Sequence, residues 1–128
     1  MILSFSREQF VKRIKDKSKV HTIRWDQPRR WKSGNKIHFW KDNPRNTSKN
    51  PYPFAIGTCI DVREIEINTI HDFVRFPETG KELSSYEHLR DFAQSDGFDT
   101  WQDLKDYFGQ DGIVGRIIYW DIETLKQI

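Results

Sequence analysis

The sequence predicts an α+β fold, mostly strands with helices inserted among them, and three observations carry that expectation. Runs rich in β-branched and aromatic residues recur, at Ile2–Phe5, Lys19–Trp25, Lys36–Trp40, Ile56–Ile67, Phe73–Phe76 and Arg116–Ile122. Three other stretches carry apolar residues at helical spacing behind a Ser or Thr that can cap a helix. In the longest strand the apolar phase slips, from Ile56, Thr58, Ile60 and Val62 to Ile65 and Ile67. The slip predicts a bulge or bend near Arg63–Glu64, which is what a sheet needs to curl into a barrel.

Length and composition bound the rest. The 128 residues form a single domain (1–128) that can bury about 65–70% of its unfolded surface in one core. With 14% aromatic residues the chain is too rich in core-forming side chains to be disordered. No apolar run is long enough for a signal peptide or a membrane-spanning helix, so a cytoplasmic location and no membrane partner are expected. The single cysteine, Cys59, excludes an internal disulfide and a cysteine-based zinc cage. His21, His38, His71 and His88 show no metal-ligand spacing, there is no phosphate-cradling glycine loop, and no Ser-centred nucleophile elbow occurs. Neither metal nor cofactor is expected.

Taken in order, the strand Ile2–Phe5 leads into a helix. Ser6 reads as its N-cap with Gln9 completing a capping box, and Phe5 and Phe10 fall at the two positions of a hydrophobic staple. This helix should end near Asp16–Ser18 and deliver the chain to the strand Lys19–Trp25. Pro28 and Gly34 mark Asp26–Gly34 as a loop, and a second polar loop runs from Lys41 to Pro53. After Phe73–Phe76 the chain turns at Glu78-Thr79-Gly80. Ser84 with Glu87 forms another capping box, opening a helix with Tyr86, Leu89, Phe92 and Ala93 on its apolar side and Gly97 as its C-terminal glycine. Thr100 caps a third helix with Trp101, Leu104 and Phe108 inward. Trp40, Trp101 and Trp120 are assigned to the core.

Charge is distributed unevenly. Residues 1–54 carry fourteen Lys/Arg against four Asp/Glu, a net +10, and residues 55–128 carry seven against fifteen, a net −8. Either the molecule has a basic and an acidic face, which would favour a polyanion partner, or the halves neutralise each other across a shared core. The chemistry gathers in Lys19–Trp25 and the loop behind it. Thr22 and Arg24 share one face of that strand, and His21, Ile23 and Trp25 share the other. Arg24 can pair with a phosphate or carboxylate, and Arg29, Arg30 and Lys32 can track a phosphate backbone. Trp25 and Trp31 can offer stacking faces to bases, with Trp31, inside the basic loop, the better candidate for exposure; the competing reading makes both tryptophans core residues.

Lys19-x-x-Thr22-x-Arg24, placed just after an N-terminal helix, resembles the signature of the ASCH domains, a branch of the PUA-like superfamily. Asp96-Gly97-Phe98 followed by Trp101, Tyr107 and Phe108 is similar to that family's acidic-Gly-Phe stretch behind its second helix, and Ile117-Ile118-Tyr119-Trp120 fits its closing strand. The resemblance implies a PUA-like small mixed β-barrel with helices packed around it, and a cleft beside the first helix that binds RNA or a nucleoside-like ligand. One branch hydrolyses the acetyl amide of acetylcytidine, and its catalytic Lys and Thr match Lys19 and Thr22 while its catalytic Glu falls at Asp96. Another branch is reported to cleave RNA. The family usually has Gly two residues before the motif Lys, where this chain has Lys17; a residue with a Cβ can take the left-handed conformation of such a turn at some cost. Lys19 and Thr22, three apart, can cooperate only if Lys19 lies in the turn before the strand. The residues therefore leave three readings: an RNA- or modified-nucleoside-binding module with Lys19, Thr22, Arg24 and Asp96 lining its cleft, a hydrolase (an acetylcytidine-type amidohydrolase or a ribonuclease) using Lys19, Thr22 and Asp96, or a protein-interaction or regulatory domain.

Overall fold

The computed structural model describes residues 1–26 and 28–128; Gln27, within the predicted loop, lies outside them. Eight strands and three α-helices are described, in the order β1 (Ile2–Phe5), α1 (Glu8–Lys15), β2 (His21–Arg24), β3 (Lys36–Lys41), β4 (Tyr52–Asn68), β5 (Phe73–Phe76), β6 (Lys81–Leu83), α2 (Tyr86–Ser95), α3 (Trp101–Phe108), β7 (Ile113–Trp120) and β8 (Lys126–Gln127). The fold is α+β, as the sequence predicts. No helix among the described residues is long and apolar enough to cross a membrane.

One connected sheet is organised by β4. The first half of β4 pairs antiparallel with β3 and with β8, its second half pairs antiparallel with β7, and its last residues also pair with β5. β1 adds to β3 in parallel, β2 adds to β7, and β6 adds to β5. Among the described residues no backbone pairing joins β1 to β2, so the sheet is not closed by hydrogen bonds. The Arg24 side chain bridges that gap, donating from Nη2 to the Ser4 carbonyl at 2.8 Å.

Several local expectations need correction. The irregularity in β4 falls between Cys59 and Asp61, earlier than Arg63–Glu64, and the buried positions of its first half are Phe54, Ala55, Gly57 and Cys59. Ile60 is exposed because the bulge turns it out of the ladder. β4 also begins at Tyr52, with Pro53 at a register shift opposite Trp40, where its missing N–H costs no ladder bond. β6 and β8 carry no clear strand signal in the sequence, and β7 runs Ile113–Trp120 rather than Arg116–Ile122. The N-cap of α1 is Arg7, not Ser6, and Gln9 donates instead to the Gly97 carbonyl at 2.8 Å. Ser85, not Ser84, caps α2 by accepting from the His88 N–H, which turns Tyr86 to solvent. Thr100 caps α3 as expected, and the Phe5–Phe10 staple packs edge-on with centroids 6.2 Å apart.

Both α1 and α2 end in the same motif. At α1 the Ser18 N–H reaches the Arg13 carbonyl and the Lys17 N–H the Ile14 carbonyl; at α2 Phe98 reaches Ala93 and Gly97 reaches Gln94. These are Schellman motifs, whose turning residue must be left-handed. Gly97 sits there at φ 97° and Lys17 at φ 69°. Left-handed backbone costs a residue with a Cβ roughly 1–2 kcal/mol, so the exposed Lys17 carries strain that no side-chain hydrogen bond or ion pair among the described residues offsets.

The core joins β1, α1, β3, β4 and β7 through Leu3, Phe10, Ile14, Ile37, Phe39, Ile65, Ile117 and Trp120. Trp120 is buried there, with Trp101 partly buried against the cluster and Trp40 half-buried. Ion pairs cross between the two halves of the chain, Arg13 to Asp99, Arg29 to Glu64 and Arg116 to Asp26. The basic and acidic halves therefore interleave in part.

Replacing Lys17 by Gly should raise the unfolding free energy by about 0.5–1 kcal/mol, the relief of left-handed strain less the added freedom of the unfolded chain. Gly97→Ala should lose about 2 kcal/mol, because its Cβ would meet Lys19 Cδ at 2.8 Å. Urea unfolding of both variants reads these opposite signs.

Candidate functional site

The two Schellman turns bring Lys19 and Asp96 together. Lys19 follows the left-handed Lys17 and precedes β2, and its N–H also bonds the Arg13 carbonyl, so it leaves α1 pointing inward. Asp96 is the C-cap of α2. Each residue is only 2% exposed. Lys19 Nζ donates to the Asp96 backbone carbonyl and stands 3.2 Å from Asp96 Oδ1. It also lies 4.8 Å from the centre of the Phe10 ring and 5.7 Å from that of Phe5, so the ring faces supply part of its solvation. Gly97 is required here twice, for its backbone angle and for the passage of the Lys19 stem against it.

His21, which the sequence gives no reason to place in the site, is its fifth polar member. Its Nδ1 is 3.0 Å from Asp96 Oδ1, and its Nε2 is 2.9 Å from Ser95 Oγ. A carboxylate cannot donate, so the proton between His21 and Asp96 rides on Nδ1 when Asp96 is ionised. The Ser95 hydroxyl then has two acceptors within reach for its one hydrogen, His21 Nε2 and the Phe92 carbonyl at 2.8 Å. Phe92 stacks on the His21 ring with centroids 5.3 Å apart and holds its plane.

Thr22, Arg24, Lys19 and Asp96 all line one cavity of about 70 Å³, walled by Phe5, Phe10, Phe98, Tyr107 and Phe108. That volume holds about two waters. It opens beside an outer depression of about 310 Å³ that shares Phe5, Phe10, Arg24 and Tyr107 with it. Together they reach the lower end of the size range of small-molecule sites. Several polar groups remain uncommitted toward this space. The Thr22 hydroxyl and Asp96 Oδ2 have no hydrogen-bond partner among the described residues, Lys19 uses two of its three N–H groups, and Arg24 uses one of its five.

Burial pushes the Lys19 ammonium below its ordinary pKa, aided by the Arg24 charge and opposed by the charge and hydrogen bond of Asp96. Burial likewise lowers Arg24, with Tyr107 and Asp96 opposing it. The Arg24 guanidinium lies 4.8 Å from the Phe5 ring centre, which holds its plane at the boundary between inner and outer cavity.

The basic loop does not join this site. Arg29 is paired with Glu64 at 2.8 Å, and Arg30 and Lys32 are exposed elsewhere on the surface. Trp31, expected to be exposed for stacking, is only 6% exposed and belongs to the core. The cause is the buried Asp26, whose two carboxylate oxygens accept the backbone N–H groups of Arg30 and Trp31, each at 3.1 Å, and fold the loop back on itself. Trp25 lies beyond the end of β2 and is 69% exposed, not buried with His21 and Ile23. Among the described residues no three His, Cys, Asp or Glu side chains gather as a metal-ligand set. No protein family, characterised protein or solved structure matches the chain.

The lowered Lys19 fixes the sign of a pH effect. In the alkaline range below the ordinary lysine value the folded state binds fewer protons than the unfolded one, so this group makes stability rise with pH over that window. The stability difference between the wild type and Lys19→Met should therefore widen in favour of the wild type up to the ordinary lysine pKa. A difference that stays flat in alkaline urea titrations contradicts it.

Proposed function

We propose that the protein binds RNA or a modified nucleoside in the cleft lined by Lys19, Thr22, Arg24 and Asp96, as an ASCH-type module of PUA-like architecture. The observation that carries this reading is the set of uncommitted polar groups inside an aromatic wall. A hydroxyl, an ammonium hydrogen and guanidinium hydrogens offer donors, and Asp96 Oδ2 offers an acceptor. A pyrimidine base presents complementary carbonyl acceptors and an exocyclic N–H donor, and Phe5, Phe10 and Tyr107 give it flat apolar neighbours. The PUA-like reading draws support from the curled run β1-β3-β4-β7-β2, whose two end strands approach each other across Arg24. The half-exposed Tyr107 at the mouth would have to swing for a base to enter.

A second reading, amide hydrolysis, is favoured by the depressed Lys19 next to the free Thr22 hydroxyl. Neutral Lys19 would take the Thr22 proton as Oγ attacks the acetyl carbonyl of acetylcytidine, and the proton would pass by way of Asp96 to the leaving amine. Water then releases acetate from the acyl-Thr22.

Acetylcytidine, related modified nucleosides and short RNAs should raise the melting temperature of the wild type in at least one case. Arg24→Ala should then weaken that ligand about tenfold or more, the scale of a charge-assisted hydrogen bond. No shift with any of them, or unchanged affinity in Arg24→Ala, contradicts the binding reading. Acetate release by the wild type that disappears in Thr22→Val separates turnover from binding alone.

A further inference from the structure

We infer that a second, shallower site just past the end of β2, built on Trp25, takes the nucleotide next to the one held in the cleft, so that the ligand is single-stranded RNA rather than a free nucleoside. The inference rests on the nucleoside reading of the cleft and specifies the class of molecule that presents it.

A depression of about 190 Å³ lies there, with Trp25, Arg29, Val114 and Arg116 among its lining residues. Trp25 and Val114 both line it and are both highly exposed, so an indole face and an aliphatic side chain are open to solvent there. An exposed tryptophan flanking a depression is what a stacking platform requires, since any base has a π-face to offer it. Arg24 and Trp25 are consecutive residues, and the first lines the cleft while the second lines this depression. Successive side chains alternate across a strand, so the two spaces lie on either side of the same end of β2.

The charged groups around the platform are only loosely committed. Arg116 Nη1 stands 3.7 Å from Asp26 Oδ2, beyond hydrogen-bond reach, and its Nε is buried without a partner among the described residues. Both Asp26 oxygens are already occupied by the backbone N–H groups of the loop. The Arg29–Glu64 pair is surface-exposed and thus weak, easily opened by a competing phosphate. Two further carboxylates stand nearby: Glu78, held to the Glu64 backbone N–H at 2.7 Å, and Glu66, directly across the ladder from Val114. Further along the loop from Arg29, Arg30 and Lys32 are exposed and make no ion pair among the described residues, and Arg30 lines a separate depression with Met1, Ile2 and Trp31. Their charges face solvent with no carboxylate on them, which suits the phosphates of a strand leaving Trp25. This gives the basic loop, excluded from the cleft, a role along the same strand.

The test uses octauridylate and uridine 5′-monophosphate as probes, with binding read by fluorescence anisotropy and by quenching of indole emission. Octauridylate should bind the wild type more tightly than the mononucleotide does, and Trp25→Ala should weaken it roughly 5- to 100-fold while leaving the melting temperature unchanged. The quench seen in the wild type should be missing from Trp25→Phe. The double variant Arg30→Ala/Lys32→Ala, both at exposed positions, should flatten the salt dependence of octauridylate binding by roughly one log unit per log salt. Equal octauridylate affinity in wild type and Trp25→Ala overturns the second site, even if Arg24→Ala weakens nucleoside binding. Tighter binding of octathymidylate than of octauridylate overturns the assignment to RNA. If Trp25→Ala weakens octauridylate while Arg24→Ala leaves nucleoside binding untouched, the platform stands and the reading of the cleft fails.

Discussion

An ammonium group taken out of water needs replacement partners, and the arrangement around Lys19 Nζ supplies most of them. The Asp96 carbonyl and carboxylate take two of its hydrogens, and the Phe5 and Phe10 rings face it. Removing one member of such a pair leaves the other charge buried alone, which typically costs about 3–5 kcal/mol. That penalty ties the end of α1 to the end of α2, two points 77 residues apart along the chain. The cleft exists because those ends meet. Phe10, Phe98 and Tyr107, from α1, the loop after α2 and α3, pack on one another as its wall.

The same constraint explains where strain is tolerated. The chain must turn sharply at both helix ends to aim Lys19 and Asp96 at each other. Gly97 makes its turn without a Cβ penalty and leaves room for the Lys19 stem, whereas Lys17 makes the equivalent turn at a cost. His21 and Ser95 complete the network from behind, fixing the carboxylate so that Oδ1 faces Lys19 and Oδ2 is left for the cleft. A buried polar network of this kind favours one geometry over its competitors only when nearly every member is satisfied.

What could be read from the sequence was set by how local the signal is. The turn before β2 was legible because two residues three apart on a strand cannot share a face, whereas the left-handed Lys17 was suggested only by the glycine that the resembling family carries at that position. Helix α3 and its Thr100 cap, the Phe5–Phe10 staple and the strand–helix order were legible for the same reason. The failures are long-range or single-residue choices. Trp31 looked exposed because its neighbours are basic, but the fate of its side chain is decided by Asp26, five residues upstream, through backbone hydrogen bonds that no composition reveals. The inward face of β4 was misassigned because Gly57 and Cys59 are weak hydrophobic signals beside Ile56 and Ile60, and the bulge at Ile60 resets the alternation. His21 escaped notice as a site residue because its partners, Ser95 and Asp96, are adjacent to it only in the fold.

The claim that the buried Lys19–Asp96 contact organises the cleft is tested most directly by a double-mutant cycle. Unfolding free energies of the wild type, Lys19→Met, Asp96→Asn and the double variant would be measured by urea denaturation. The account predicts that each single replacement is strongly destabilising and that the double variant loses less than the two losses added together, by about 1 kcal/mol or more. Losses that simply add would contradict it, since they would mean that the two side chains are buried side by side without depending on each other.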